Sequence, residues 1–350
     1  MVQLYERNTP GDNVTNRQLF RAYVERLTAD RLVVRLAYAQ RNRAVLPPDS
    51  RYAMERDSSD TTFTQCYRGL YQFLTAPDER RQLLLGQRRP RTNRDVRLCG
   101  RYLNATIDAI VLAAKQAEDF FLLVGPPGTG KTNVALRAMV EEFLLERAEA
   151  PDACLLLTAY TNRAVDEICH MLSAVTSGVD YVRIGAEQTC AEPYRSRLLP
   201  NWAAGDERLV ALRDRLAAVP VVVGTVATLT AHAELFRLKR FTAAIVDEAA
   251  QILEPQLLGL LCCAPDGEPA IRKFVMIGDH RQLPAVVMQS PASTVVRDEW
   301  LRRIGLTDLS RSLFERLLRQ AQAAGDDRCW TMLDRQGRMH GDISRVASHL

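Results

Sequence analysis

Five apolar runs constrain this chain more than any other feature. They are FFLLV (120–124), CLLLTAY (154–160), VVVGT (221–225), AAIVDEA (243–249) and FVMIGD (274–279), and stretches of helical character separate them. Strands that are apolar on both faces are buried on both faces, and strands separated by helices pair in parallel. From about residue 103 onward the expected fold is therefore α/β, a parallel sheet with helices on both faces. Each run ends in small or polar residues. Ligands of open parallel sheets bind beyond the carboxyl ends of the strands, so these ends are where function is expected.

The first such end reads VGPPGTGKT, residues 124–132. It matches G-x-x-x-x-G-K-[ST] between an expected strand and an expected helix, the setting a phosphate-binding loop requires. Gly125 opens the match. Pro126 and Pro127 have no N–H to donate. The donors are expected to be the main-chain amides of Gly128, Thr129, Gly130, Lys131 and Thr132, at the positive end of the helix. Lys131 would reach the β- and γ-phosphates of ATP, and the Thr132 hydroxyl would hold Mg²⁺.

The second end carries Asp247 and Glu248, about 115 residues beyond the loop. A lone Asp-Glu pair is ordinarily a strand-to-loop surface feature. After a phosphate loop and on its own strand, it reads as hydrolytic machinery. Neighbouring carboxylates along a strand point to opposite faces, which predicts different tasks: Asp247 on Mg²⁺, Glu248 polarising a water. The third end, GDHRQLP (278–284), offers Gln282. Its amide can donate to a phosphate oxygen and accept from the attacking water, so it is read as a sensor of the terminal phosphate, with Asp279 anchoring the turn.

The region ahead of the sheet differs. Residues 1–100 hold 18 arginines, no lysine and 11 acidic residues, a balance of +7, whereas the remaining 250 residues balance at −3. A basic front on a near-neutral body suits a polyanion. QLFRAYVERLTADRLVVRLAYAQ (18–40) reads as a hairpin turning at TADR, with Phe20, Ala22 and Val24 alternating with polar residues. A helical stretch at 64–86 and a basic linker, GQRRPRTNRD, follow. No apolar run approaches the ~20 residues that cross a bilayer. The start shows no secretory signal, and the eight cysteines lack C-x-x-C spacing. They read as reduced thiols, and the expected location is cytoplasmic with no membrane partner.

GPPGTGKT, TAYTNRAVDEI, VVVGT, VDEAAQ, IGDHRQLP and QGRMH occur in the order of superfamily 1 helicase motifs. The chain resembles the branch that contains the nonsense-mediated-decay RNA helicase and the Okazaki-fragment nuclease-helicase. The resemblance covers roughly residues 100–345. It implies RecA-like lobes, 5′-to-3′ travel on single-stranded DNA or RNA, and a small β-barrel that grips nucleic acid. The implied organisation is a β-barrel-like domain at 1–62, a helical stalk and basic linker at 63–100, a first RecA-like lobe at 101–328 and the start of a truncated second lobe at 329–350. The resemblance also implies that Tyr160, Thr161, Asn162 and Thr225 face the nucleic-acid backbone, although strand-end caps are the ordinary role of such residues. It implies that Arg338 reaches the γ-phosphate. Two positions depart from the branch. Ile107 stands where many relatives have a glutamine that reads adenine, and Gly337 where many have an aromatic that stacks on the base. The sequence given stops at Leu350, short of the roughly 30 residues a further βαβ unit needs. This predicts a chain that binds nucleotide, hydrolyses it slowly and does not unwind alone, being either a fragment or one whose second lobe is supplied by a separate chain. The rival readings are an ATP-controlled nucleic-acid clamp without unwinding and a P-loop NTPase acting on another kind of partner.

Overall fold

The structure, a computed structural model, describes residues 2–37, 45–57, 62–175, 178–205 and 208–334. These form two compact units, Met1–Thr61 and Thr62–Leu350.

The first unit is a four-stranded antiparallel sheet of β1 (Val2–Glu6), β2 (Phe20–Leu27), β3 (Leu32–Leu36) and β4 (Tyr52–Arg56), in the order β3-β2-β1-β4. The hairpin turns where expected, and Thr28 N–H donates to Arg31 O at 2.8 Å. The expected alternation holds at Phe20 and Ala22, which are buried, and fails at Val24, which is 43% exposed. The register shifts between Val24 and Arg26, and this irregularity breaks the inward-outward rule. β1 and β4 are not legible as strands, because each is five residues long, too short for a sustained alternation. β1 nevertheless carries Tyr5, which is buried and donates through its hydroxyl to Glu55 at 2.6 Å. Part of the basic charge is internally paired, with Arg17 on Asp12, Arg21 on Asp57 and Arg35 on Glu25.

The second unit is built on a seven-stranded parallel sheet. Its strands are β5 (Phe120–Val124), β6 (Leu155–Ala159), β7 (Tyr181–Ile184), β8 (Val221–Thr225), β9 (Phe241–Val246), β10 (Ile271–Gly278) and β11 (Trp330–Met332). The order is β11-β5-β10-β9-β6-β8-β7. Five of the seven contain the apolar runs. Successive residues of each strand feed opposite cores. Leu122, Leu156, Val222, Val246 and Phe274 face one side, where the helices Glu254–Leu261 and Leu313–Ala323 pack. Phe121, Leu157, Val223, Ile245 and Val275 face the other. β11 pairs in parallel with β5. Trp330–Met332 therefore lies in this sheet, whereas the sequence reading began a second lobe at residue 329.

The helical stretch ahead of the sheet is α1 (Thr62–Thr75) and α2 (Asp78–Leu84), broken at Pro77. α1 lies so close to the helix Glu254–Leu261 that a Cβ on Gly69 would fall 1.7 Å from Pro255 O. The basic segment after α2 is anchored rather than free. Arg88 and Arg91 grip the buried Asp119 at 2.7 and 3.1 Å. Burial pushes the Asp119 carboxyl up, but these guanidinium groups outweigh it and hold it at about 2. Among the described residues no helix is long and apolar enough to cross a membrane.

Candidate nucleotide-binding site

The strand order brings the three functional turns together. β5, β10 and β9 are neighbours, with Val124 paired to Gly278 and Val246 to Met276. The loop after β5, the turn after β10 and the acidic pair after β9 therefore share one sheet edge. They line a cleft of about 650 Å³.

The loop has the geometry its glycines predict. Gly128 and Gly130 have φ of 76° and 81°, a left-handed region that other residues rarely adopt. Gly125 N–H donates to Gly278 O at 2.9 Å, tying the loop to β10. A Cβ on Gly125 would lie 2.3 Å from the Lys131 side chain. The following helix opens with a widened turn, where Ala135 N–H reaches Gly130 O at 3.1 Å, and continues as α4 (Arg137–Arg147). Lys131 Nζ donates back to Gly125 O and, among the described residues, has no carboxylate partner. Burial lowers its pKa, against the pull of Asp279, Asp247 and Glu248.

Across the cleft the Thr132 hydroxyl donates to Asp247 Oδ2 at 2.7 Å, joining residues 115 positions apart. Asp247 is buried, and its N–H donates to Thr158 O at 2.8 Å. Its second oxygen, Oδ1, accepts from Glu248 N–H at 2.9 Å. Burial raises the Asp247 pKa. Burial and then the Asp247 charge raise that of Glu248. The strand pleat does not set how these two carboxylates are directed, and both line the cleft. β9 ends at Val246, and Glu248 has φ of 52°, the one positive value among described residues other than glycine. Such strain concentrates where a side chain must be aimed. The Gln282 amide donates to Asp279 Oδ2 at 2.9 Å, and Asp279 Oδ1 accepts from Arg281 N–H at 3.0 Å. Asp279 thus anchors the turn, and both residues line the cleft.

Two acidic residues of the cleft are not among the site residues expected from the sequence. Glu167 comes from α5 (Asn162–Ser173), and Asp334 follows β11. Glu167 belongs to the motif TAYTNRAVDEI, where helical periodicity from Asn162 could have singled it out; nothing in the sequence marks Asp334. Ile107 is buried on the cleft wall in α3 (Ala105–Gln116). Asn104 caps α3, its Oδ1 accepting from Ile107 N–H at 3.0 Å. Gly337 and Arg338 lie outside the described residues.

The four remaining residues collect elsewhere along the same edge. β6 and β8 are adjacent, with Ala159 opposite Thr225. Tyr160, Thr161 and Asn162 follow β6, and Thr225 ends β8, none of them lining the cleft. Thr161 caps α5 by accepting from Ala164 N–H, and Thr225 caps the helix Val226–Ala231 by accepting from Thr228 N–H, both at 3.1 Å. Tyr160 is half-buried against the core.

The match to known proteins is concentrated in this unit. Residues 102–205 and 203–290 match the family model described as AAA domain. A DNA replication ATP-dependent helicase/nuclease of Arabidopsis thaliana is 33% identical over 184 residues, covering 52% of this chain and 12% of that protein. The protein of the same description in Xenopus laevis is 32% identical over 237 residues, covering 67% of this chain and 19% of that one. The chain thus spans less than a fifth of the length of these relatives. A solved structure of a Sulfolobus solfataricus SWI2/SNF2 ATPase core with dsDNA aligns over 49% of this chain and 30% of its own, with a TM-score of 0.34 and 13% identity.

Proposed function

The chain belongs to the AAA domain family and carries the first RecA-like lobe of a superfamily 1 helicase, and from that premise we propose that it binds and hydrolyses ATP in response to a single-stranded nucleic acid. The observation that carries the proposal is the Thr132–Asp247 bond at 2.7 Å, which sets a phosphate-loop hydroxyl against a buried acid at the sheet edge. The donor set fits a hard divalent cation, since a hydroxyl and a carboxylate oxygen face one another at the cleft. Thr132 and Asp247 would hold Mg²⁺, which when bound neutralises charge on the β- and γ-phosphates. The amides of Gly128 to Thr132 orient the triphosphate, and Lys131 leaves Gly125 O for its oxygens. Glu248 has its pKa raised by burial and accepts the proton of the attacking water. Gln282, steadied by Asp279, holds that water in line.

Tyr160, Thr161, Asn162 and Thr225 form the proposed track for the nucleic-acid backbone. The Thr225 hydroxyl donates to Thr228 Oγ1 at 2.8 Å, whereas the Thr161 hydroxyl accepts as a cap and keeps its proton, so the donors offered there are main-chain amides, the Thr161 hydroxyl and the Asn162 side chain. Such contacts suit sequence-blind binding of phosphates. Unwinding requires a second lobe that closes on the nucleotide and brings Arg338 or its equivalent to the γ-phosphate. We assign that lobe to a longer polypeptide or a separate chain.

Binding of labelled oligo-dT and oligo-U to the chain tests the partner class. The expected result is saturable binding whose log K falls linearly with log salt. Absence of binding to both at low salt overturns the nucleic-acid reading and leaves a nucleotide-binding lobe with another partner. Base selectivity is expected to be low. Ile107 offers no hydrogen bond, and the Asn104 oxygen is taken by the α3 cap. ATP and GTP should differ by less than about tenfold in affinity, or ~1.4 kcal/mol. A hundredfold preference in a competition titration would show that another residue reads adenine.

A further inference from the structure

Between the Gln282 turn and the helix Leu313–Ala323 lies a segment that the hydrolytic reading does not use. Val296 N–H donates to Thr307 O at 3.0 Å and Leu309 N–H to Thr294 O at 2.9 Å, which closes the segment into a loop. Ile304 O accepts from Arg316 at 3.2 Å and from Gln320 at 2.6 Å, so the loop is tied to the lobe. Within it the short helix Glu299–Arg303 is capped by Asp298, which accepts from Leu301 N–H at 3.0 Å.

This fixed base presents Trp300, which is 72% exposed. The guanidinium carbon of Arg303 stands 4.6 Å from the centre of the indole ring. One ring face is stacked by a cation, and most of the ring is open to solvent. The other two tryptophans are held differently, with Trp202 buried and Trp330 half-buried. Among the described residues Arg297, Arg302 and Arg303 have no carboxylate partner. Asp298, whose Oδ1 caps the helix, and Glu299 are the opposing charges, two carboxylates against three arginines over residues 297–303.

We propose that Trp300 and Arg303 form a stacking platform for a base of a single-stranded nucleic acid, with Arg297 and Arg302 on the flanking phosphates. The proposal rests on the nucleic-acid reading above and adds a contact outside its motif residues. Every base has a π-face, so stacking on an aromatic ring grips a strand without reading its sequence. An arginine on the far face strengthens such a site by cation–π attraction. Unpaired arginines beside the ring favour a polyanion over an apolar protein surface.

Tryptophan emission of the full chain, titrated with oligo-dT and oligo-U, tests this directly. Saturating strand should quench the wild type, and Trp300→Phe should lose that quench while binding within about twofold of wild type. Trp300→Ala should bind about tenfold more weakly. Arg302→Ala should reduce the slope of log K against log salt by about one. Trp300→Ala binding within twofold of wild type would overturn the platform while leaving the proposed function intact. So would loss of self-association in that variant, seen by sedimentation, with strand affinity unchanged; it would mark a protein-docking face instead. A wild-type chain that binds neither strand removes the platform and the nucleic-acid reading together.

Discussion

Glu248→Gln is expected to bind ATP as the wild type does and to turn it over at least about 10²-fold more slowly, the usual cost of losing a general base. Glutamine keeps the shape of the side chain and the left-handed turn at residue 248 but cannot take a proton. Lys131→Ala is expected to fail earlier, at binding. Its ammonium has no carboxylate partner among the described residues and only Gly125 O as acceptor, so it is available to a triphosphate. Single-turnover hydrolysis with enzyme in excess, beside equilibrium titration of a fluorescent ATP analogue, separates the two effects. Near wild-type turnover in Glu248→Gln would remove Glu248 from the mechanism. Unchanged affinity in Lys131→Ala would remove the lysine from the phosphates.

The second large effect is on stability. Glu142 in α4 is 2% exposed. It accepts from Lys115 Nζ at 2.6 Å, Cys99 N–H at 2.7 Å, Gly100 N–H at 3.0 Å and the Tyr102 hydroxyl. It thereby pins the segment that leads into the Asn104 cap and the cleft wall. Glu142→Ala strands a buried ammonium and two amides. Removing one member of a buried pair costs about 3–5 kcal/mol, and the lower end is expected because Lys115 keeps Glu146 at 3.0 Å. Denaturant melts should show the loss. Burial pushes the Glu142 carboxyl up, but the Lys115 and Tyr102 bonds outweigh it and hold it at about 2, against an ordinary value of 4.5. A carboxylate with a depressed folded-state pKa stabilises the fold above its ordinary value. That contribution should fade as pH falls from about 4.5 toward 2. Glu142→Gln should lack this share of the acid-side slope, and a wild-type slope in that variant would contradict the assignment.

The parallel sheet was legible because burial on both faces leaves unbroken apolar runs such as FFLLV and VVVGT. The loop was legible because a left-handed turn that approaches phosphate closely admits few residues besides glycine. The edge arrangement of Asp247, Glu248 and Gln282 followed from strand ends in a parallel sheet. The unread elements rest on forces that leave no local pattern. β11 is three residues long and exists through its pairing with β5. β1 is paired by β2 and β4, and β4 by β1 alone. The basic segment read as a linker is fixed by Asp119, 28 residues beyond Arg91. Glu248 sits in a left-handed backbone turn beyond the end of β9, which strand periodicity does not foresee. The threonines of the proposed track had two readings in sequence, cap and contact. Both hydroxyls accept as caps in the structure; Thr225 also donates to Thr228, while the Thr161 proton remains available beside the neighbouring amides.

The central claim is that this lobe couples ATP hydrolysis to a single strand. Its most direct test is the rate of ATP turnover by the 350-residue chain with and without saturating oligo-dT and oligo-U, with Glu248→Gln as the background. The account predicts a slow basal rate above that background which rises when either strand is added. A wild-type rate that stays the same with both strands, under conditions where each is shown to bind, would contradict it.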